Sequence, residues 1–366
     1  MKRLLLVIAG VLAALVGCGG EPAKPADKPG CVAAPEPDLG TAQGWVGWLA
    51  THRDDVTVVV DDGRGATVVH RGDQPSPLAS ASKVLHLAAY ATAVSEGRVR
   101  PDDLVRIADW EAWYLPDTDG GAHPKALDHL GVPHENGRAK DPDRTVRLDD
   151  LAAVMIRFSD NAAPELLRDR LGDDTLRRAS SASGWPDPEL PSFLGQAIAV
   201  LAPELVTGDS RAARGAAEWA VARRYAGDAA FRAELGDRSS PGLAEQEQWA
   251  ENNTTVGTAA QLNALHRAIS TGSFGAGVEV ARRHLEYQPP PAGALGRGAK
   301  GGSLPGVLTQ AITVRRTDGS VSSAVLLTRR MPLDEWRDAT ASLAHQKLLV
   351  AAMNEPQTLE QLRCAL

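Results

Sequence analysis

Two hydrophobic periods alternate along this chain. Trp45, Trp48 and Leu49 recur at helical spacing and predict a helix over residues 41–52. Val56 to Val60 is a β-branched run, Asp61-Asp62-Gly63 is a turn, and Ala66 to His70 is a second short run, so the three together predict a hairpin. After a loop over 72–77, Val84, Leu85, Leu87, Ala88 and Ala91 form the apolar face of a helix that runs to about Ser95. Residues 100–144 are rich in turn formers, with Trp110, Trp113 and Tyr114 close together as candidates for a pocket wall or for packing. Leu148 to Phe158 is helical, Ser159-Asp160-Asn161 interrupts, and a new helix begins near Pro164. Helices then fill most of 162–290, including 212–225 and 258–270. Gln310 to Arg316 and Val321 to Thr328 read as strands around an Asp318-Gly319 turn, and 334–353 as one long amphipathic helix.

Strands therefore lie near both ends and helices lie between. That order predicts an α/β (α+β) fold, with an antiparallel sheet built from both chain ends, flanking helices and an all-helical insertion. The domain is expected over 39–366, with 39–78 and 292–366 forming the α/β part and 79–291 the helical part.

The first residues change the picture of where this domain sits. Lys2 and Arg3 precede an apolar run from Leu4 to Val16, too short to span a bilayer comfortably, which reads as a signal segment over 1–17. Leu15-Val16-Gly17-Cys18 resembles a bacterial lipoprotein box, which implies lipidation of Cys18 and an extracytoplasmic domain anchored to the cell membrane. Ordinary secretion and an uncleaved anchor are the other readings. Residues 18–38, with five prolines after Gly19-Gly20, read as a tether. With Cys18 taken by lipid, Cys31 and Cys364 remain, and they are expected to pair; two free thiols is the alternative. A net charge of −7 without a basic stripe argues against nucleic acid and leaves membrane contact to the lipid. A monomer is expected.

Ser80-x-x-Lys83 places a hydroxyl and an amine one helical turn apart. The amine can take the serine's proton and leave a nucleophilic alkoxide. Only eight of the 39 basic residues are lysine, and arginine cannot deprotonate, so lysine at 83 is a chemical choice. A plain helix N-cap at Ser80, a capped helix break at Ser159-Asp160-Asn161 and a glycine-rich loop at Lys300-Gly301-Gly302 are the bland readings of each element taken alone. His123, His129 and His134 are spaced wrongly for one helix face and are assigned to surface loops; neither a metal nor a cofactor is expected.

Ser80-x-x-Lys83, Ser159-Asp160-Asn161 and Lys300-Gly301-Gly302, in that order, resemble the serine β-lactamases of class A and the related penicillin-binding enzymes, over residues from about 40 to the end. The resemblance implies that Ser80 attacks a carbonyl with Lys83 as proton acceptor. Ser159 relays a proton to the leaving nitrogen, Asn161 binds a substrate amide, and Lys300 and Gly302 sit at the substrate carboxylate. The backbone N–H groups of Ser80 and Ser303 form the oxyanion hole.

Two departures stand out. Gly301 replaces the hydroxyl residue usual in the Lys-x-Gly box, though Ser303 can stand in. The carboxylate loop Glu-Pro-x-Leu-Asn has its nearest counterpart in Asp187-Pro188-Glu189-Leu190-Pro191, which makes Asp187, or less well Glu189, the expected base for deacylation. Three functions stay open. One is a β-lactamase. Another is a D,D-peptidase, amidase or esterase-like hydrolase that deacylates slowly and acts on a peptidoglycan-type or ester substrate. The third is a lipid-anchored binding protein with a decayed site.

Overall fold

The β-branched run at 56–60 does form a strand, an inner one of a five-stranded antiparallel sheet. The computed structural model describes residues 31–236 and 238–366. Its main strands are β1 (Val56–Asp61), β2 (Thr67–His70), β3 (Ala294–Leu304), β4 (Val307–Arg316) and β5 (Val321–Thr328). They lie in the order β2-β1-β5-β4-β3. The two chain ends meet at β1 and β5, where Val58 stands opposite Leu326 and Val60 opposite Ala324.

Helices α1 (Ala42–Thr51), α2 (Lys83–Ser95), α3 (Leu148–Arg157), α4 (Ala162–Leu171), α5 (Phe193–Leu201), α6 (Arg211–Gly227), α7 (Leu243–Asn253) and α8 (Ala259–Thr271) precede the last three strands. After them come α9 (Leu333–Ser342), α10 (Ala344–Asn354) and α11 (Pro356–Ala365).

Strand alternation assigns the two faces of the sheet. Val58, Val60, Ile312 and Leu326 pack with the terminal helices, against Trp45, Leu348 and Leu362. Val59, Ala311, Val325 and Leu327 face the other way, into the core built on α2, α3 and α4. Burial on both faces explains why β1 reads as a continuous apolar run. Residues 34–366 make one compact unit. The signal segment and Cys18 lie outside the described residues, as does most of the tether. Cys31 and Cys364 are each disulfide-bonded.

Three local expectations are corrected. The helix expected over 334–353 is two helices, α9 and α10, broken at Leu343 with φ of 53°. Ser342 causes the break: its hydroxyl donates to Leu39 O (2.6 Å) and accepts from Ala344 N (3.2 Å), competing with the helical ladder. The strand carrying Lys300, β3, was not expected at all, because glycines at 296, 298, 301 and 302 erase its alternation. The turn-rich stretch over 100–144 is ordered into short elements, with Leu104–Arg106 paired to Thr145–Arg147 and a helix over Ala122–His129.

Candidate active site

Ser80 lies in a tight turn, Ala79–Ser82, that leads into α2 at Lys83. Ala79 has φ of 45°, a costly conformation for a residue with a side chain. The sheet holds this turn in place: Thr309 Oγ1 on β4 lies 3.0 Å from Leu78 O and 3.2 Å from Gly302 O, with its one proton to donate between them. Glycine at 302 is a steric demand. A Cβ there would lie 2.3 Å from Ser80 N and 2.8 Å from Ala81 N, so only glycine lets β3 run against the serine's turn.

Lys83 is fully buried, and its Nζ is the hub of the site. It lies 2.7 Å from Ser80 Oγ, 2.6 Å from Asn161 Oδ1, 2.8 Å from Ser159 O and 3.1 Å from Ser159 Oγ. Burial, and after it the charge of Lys300, hold the amine well below its ordinary range. A neutral amine suits these partners. Once neutral, the amine would donate to Asn161 Oδ1 and Ser159 O and turn its lone pair to the Ser80 hydroxyl. Lys300, on β3, donates to Ser159 Oγ at 3.1 Å and to Gly301 O at 2.6 Å. Burial pushes its amine down to about 7. The Ser159 hydroxyl thus stands between the two lysines, a bridge over which a proton can move.

The Ser159-Asp160-Asn161 loop is held from beneath. Ser159 adopts φ of 67°, and Asp160 is completely buried. The Asp160 carboxylate accepts from Trp110 Nε1 (3.0 Å), Ala163 N (2.6 Å) and the His123 ring (2.6 Å). Burial works against both charges, yet the pair outweighs it: Asp160 stays below the usual carboxylate range, and His123 rises to about 9. His123 is therefore no surface residue. It is buried against Tyr114, with ring centroids 4.0 Å apart, and serves as the loop's counter-charge. Trp110, Trp113 and Tyr114 are all core residues. His129 and His134 lie apart from it, and no cluster able to hold a metal occurs among the described residues.

A cleft of about 680 Å³ opens over Ser80, with Ser159 and Asn161 on one side and Gly301, Gly302 and Ser303 on the other. The sequence matches the beta-lactamase enzyme family over residues 46–274. The chain belongs to that family. Solved structures agree at the level of fold. The beta-lactamase of Sphaerobacter thermophilus has 18% identity and a TM-score of 0.55, covering 84% of this chain and 96% of that one. For the beta-lactamase of Chitinophaga pinensis the values are 17% and 0.51, covering 85% and 99%. A variant of the class A beta-lactamase of the last common ancestor of Gram-negative bacteria gives 17% and 0.50, covering 87% and 100%. No curated protein matches the sequence.

For a beta-lactamase-family chain, the side of the cleft that should hold a hydrolytic base is unusual. Asp187 is exposed, with φ of 47°, and does not line the cleft. Its neighbour explains this correction. Glu189 is turned inward, paired with Arg211 and accepting from Val256 N, so the turn between Pro186 and Pro188 presents Asp187 to solvent. Phe193 occupies the ground next to the Lys83 amine instead, its ring centroid 4.2 Å from Lys83 Nζ. Glu165 seats it there. This buried carboxylate accepts from Ser192 Oγ and Leu194 N, each at 3.1 Å, and so pins the start of α5. Burial pushes Glu165 up to about 7.

Sequence reasoning missed Phe193, Glu165 and His123 as parts of the site. Only the Ser192 cap ahead of an apolar run hinted at α5.

Proposed function

We propose that this chain is a serine hydrolase whose Ser80 is acylated by β-lactams and related acyl donors, and that water releases the acyl group slowly. The observation that carries the reading is the 2.7 Å contact between Ser80 Oγ and the fully buried Lys83 amine. Ser80 Oγ bonds to the carbonyl carbon as its proton passes to Lys83. The C–N bond of the lactam then breaks, and the nitrogen leaves with a proton delivered through Ser159. The amides of Ser80 and Ser303 would hold the oxyanion.

Slow release is favoured over efficient turnover by two observations: Asp187 faces solvent, and the Phe193 ring covers the approach to Lys83. An intact catalytic network argues against a decayed binding protein. We further propose an extracytoplasmic protein anchored through Cys18, which the Leu15–Cys18 box supports; metabolic labelling with a palmitate analogue, lost in Cys18→Ser, tests it.

Intact mass followed over time after mixing with benzylpenicillin tests the main reading. An adduct on Ser80 that persists, absent in Ser80→Ala, is the expected result. An adduct that clears while hydrolysed drug accumulates would make the chain a working β-lactamase. No adduct would overturn acylation by β-lactams.

A further inference from the structure

The cleft has a wall that the acylation chemistry does not use. From the helical part come Val200, Leu201, Leu243 and Trp249; from the sheet side come Pro305 and Trp336. Trp249 and Trp336 are both half-buried. Among the described residues that line the cleft there is no arginine and no lysine, while two carboxylates, Asp117 and Asp119, do line it.

The position beside Lys300 tells the same way. At Gly301 a Cβ would lie 2.7 Å from Gln310 Oε1, so a neutral carboxamide fills the space next to the strand. It is fixed there, accepting from Gln346 Nε2 and donating to Ala311 O, each at 3.0 Å. Lys300 itself, beneath the floor, is committed to Ser159 Oγ and Gly301 O. An anionic group entering this cleft would lose hydration, meet no free cation on the wall and face two carboxylates. An apolar group would gain about 25 cal/mol for each Å² it buries.

We propose that the cleft selects uncharged acyl donors carrying an apolar acyl group, such as medium-chain carboxylic esters, over donors that carry a carboxylate. The proposal rests on Ser80 being the nucleophile. With an ester, Ser80 Oγ bonds to the carbonyl carbon and its proton passes to Lys83. The C–O bond to the alcohol breaks, and the alcohol leaves with that proton by way of Ser159. Water then takes the acyl group, freeing the acid and restoring Ser80.

Two substrate pairs test this on the wild-type chain: p-nitrophenyl octanoate against the acetate, and benzylpenicillin methyl ester against benzylpenicillin. The expected result is kcat/KM about tenfold or more higher for the octanoate, and acylation about tenfold faster by the methyl ester. Ala197→Arg, which puts a cation on the cleft wall, should narrow the second ratio. Equal or faster acylation by the free acid, or no preference for the octanoate, overturns the proposal. A fluorophosphonate probe separates the two levels. Labelling of wild type but not Ser80→Ala with flat substrate ratios rejects only this proposal, whereas no labelling of wild type rejects the nucleophile as well.

Discussion

The two sides of the Ser80 hydroxyl are built to different standards. On one side four polar groups converge on Lys83, each fixed by a buried partner or a strand. Gly302 is pressed against the serine's own turn, and Asp160 anchors its loop through three hydrogen bonds. On the other side, the stretch over 182–201 brings a phenyl ring where catalysis by water would want a carboxylate. On the proposed reading, one side forms the acyl-enzyme and the other offers water little help in breaking it.

The largest expected effect attacks the well-built side. Lys83→Met should slow acylation by about 10³-fold, since the general base is lost. Stopped-flow acylation rates measure it, and a rate within a few-fold of wild type would remove Lys83 as the base. Next comes the backbone. Gly302→Ala forces a methyl toward Ser80 N, and a displacement of about 1 Å at the nucleophile costs about 100-fold in acylation. An unchanged rate would mean that β3 does not set the serine's position.

The buried counter-charge gives a signature in stability. With a folded value of about 9 and an ordinary value near 6.5, His123 contributes fully below about pH 6.5, and its contribution fades as pH rises through about 9. His123→Gln should cost about 3 kcal/mol at pH 6 and distinctly less at pH 10, read as the loss in unfolding free energy at each pH. A cost independent of pH would show that the ring is not charged in the fold.

Smaller effects belong to the other side. Phe193→Ala opens the space beside Lys83 and should speed deacylation about tenfold, about 1.4 kcal/mol off the barrier. Should acyl-enzyme lifetime stay the same, the ring does not obstruct water. Asp187→Asn should leave that lifetime unaltered, and a longer lifetime in the variant would restore Asp187 to the mechanism.

How far the sequence carried this picture depended on which forces leave a local trace. The runs at 56–60 and 321–328 declared their strands because both faces of those strands are apolar. Ser80, Lys83, Ser159 and Lys300 were legible because proton transfer needs particular side chains at particular spacings. β3 was hidden because its glycines answer to Ser80, Gln310 and other neighbours distant in the chain. Asp187 was misplaced because a four-residue likeness says nothing of Arg211, twenty-odd positions on, which draws Glu189 inward and turns Asp187 out. His123 reads as a polar residue in a turn-rich stretch; only the folded chain reveals Asp160 beside it.

The pairing of β1 with β5 has a consequence in time. The serine and the lysine opposite it are made some two hundred residues apart, and the strands that bring them together come from opposite ends of the chain. During synthesis, Ser80 and Lys83 emerge long before β3 exists to close the site. Until β5 inserts between β1 and β4, the nucleophile has no strand against its turn and no Lys300 beside Ser159. The last quarter of the polypeptide thus completes a site that the first quarter begins, and the site is whole only when the chain is nearly finished.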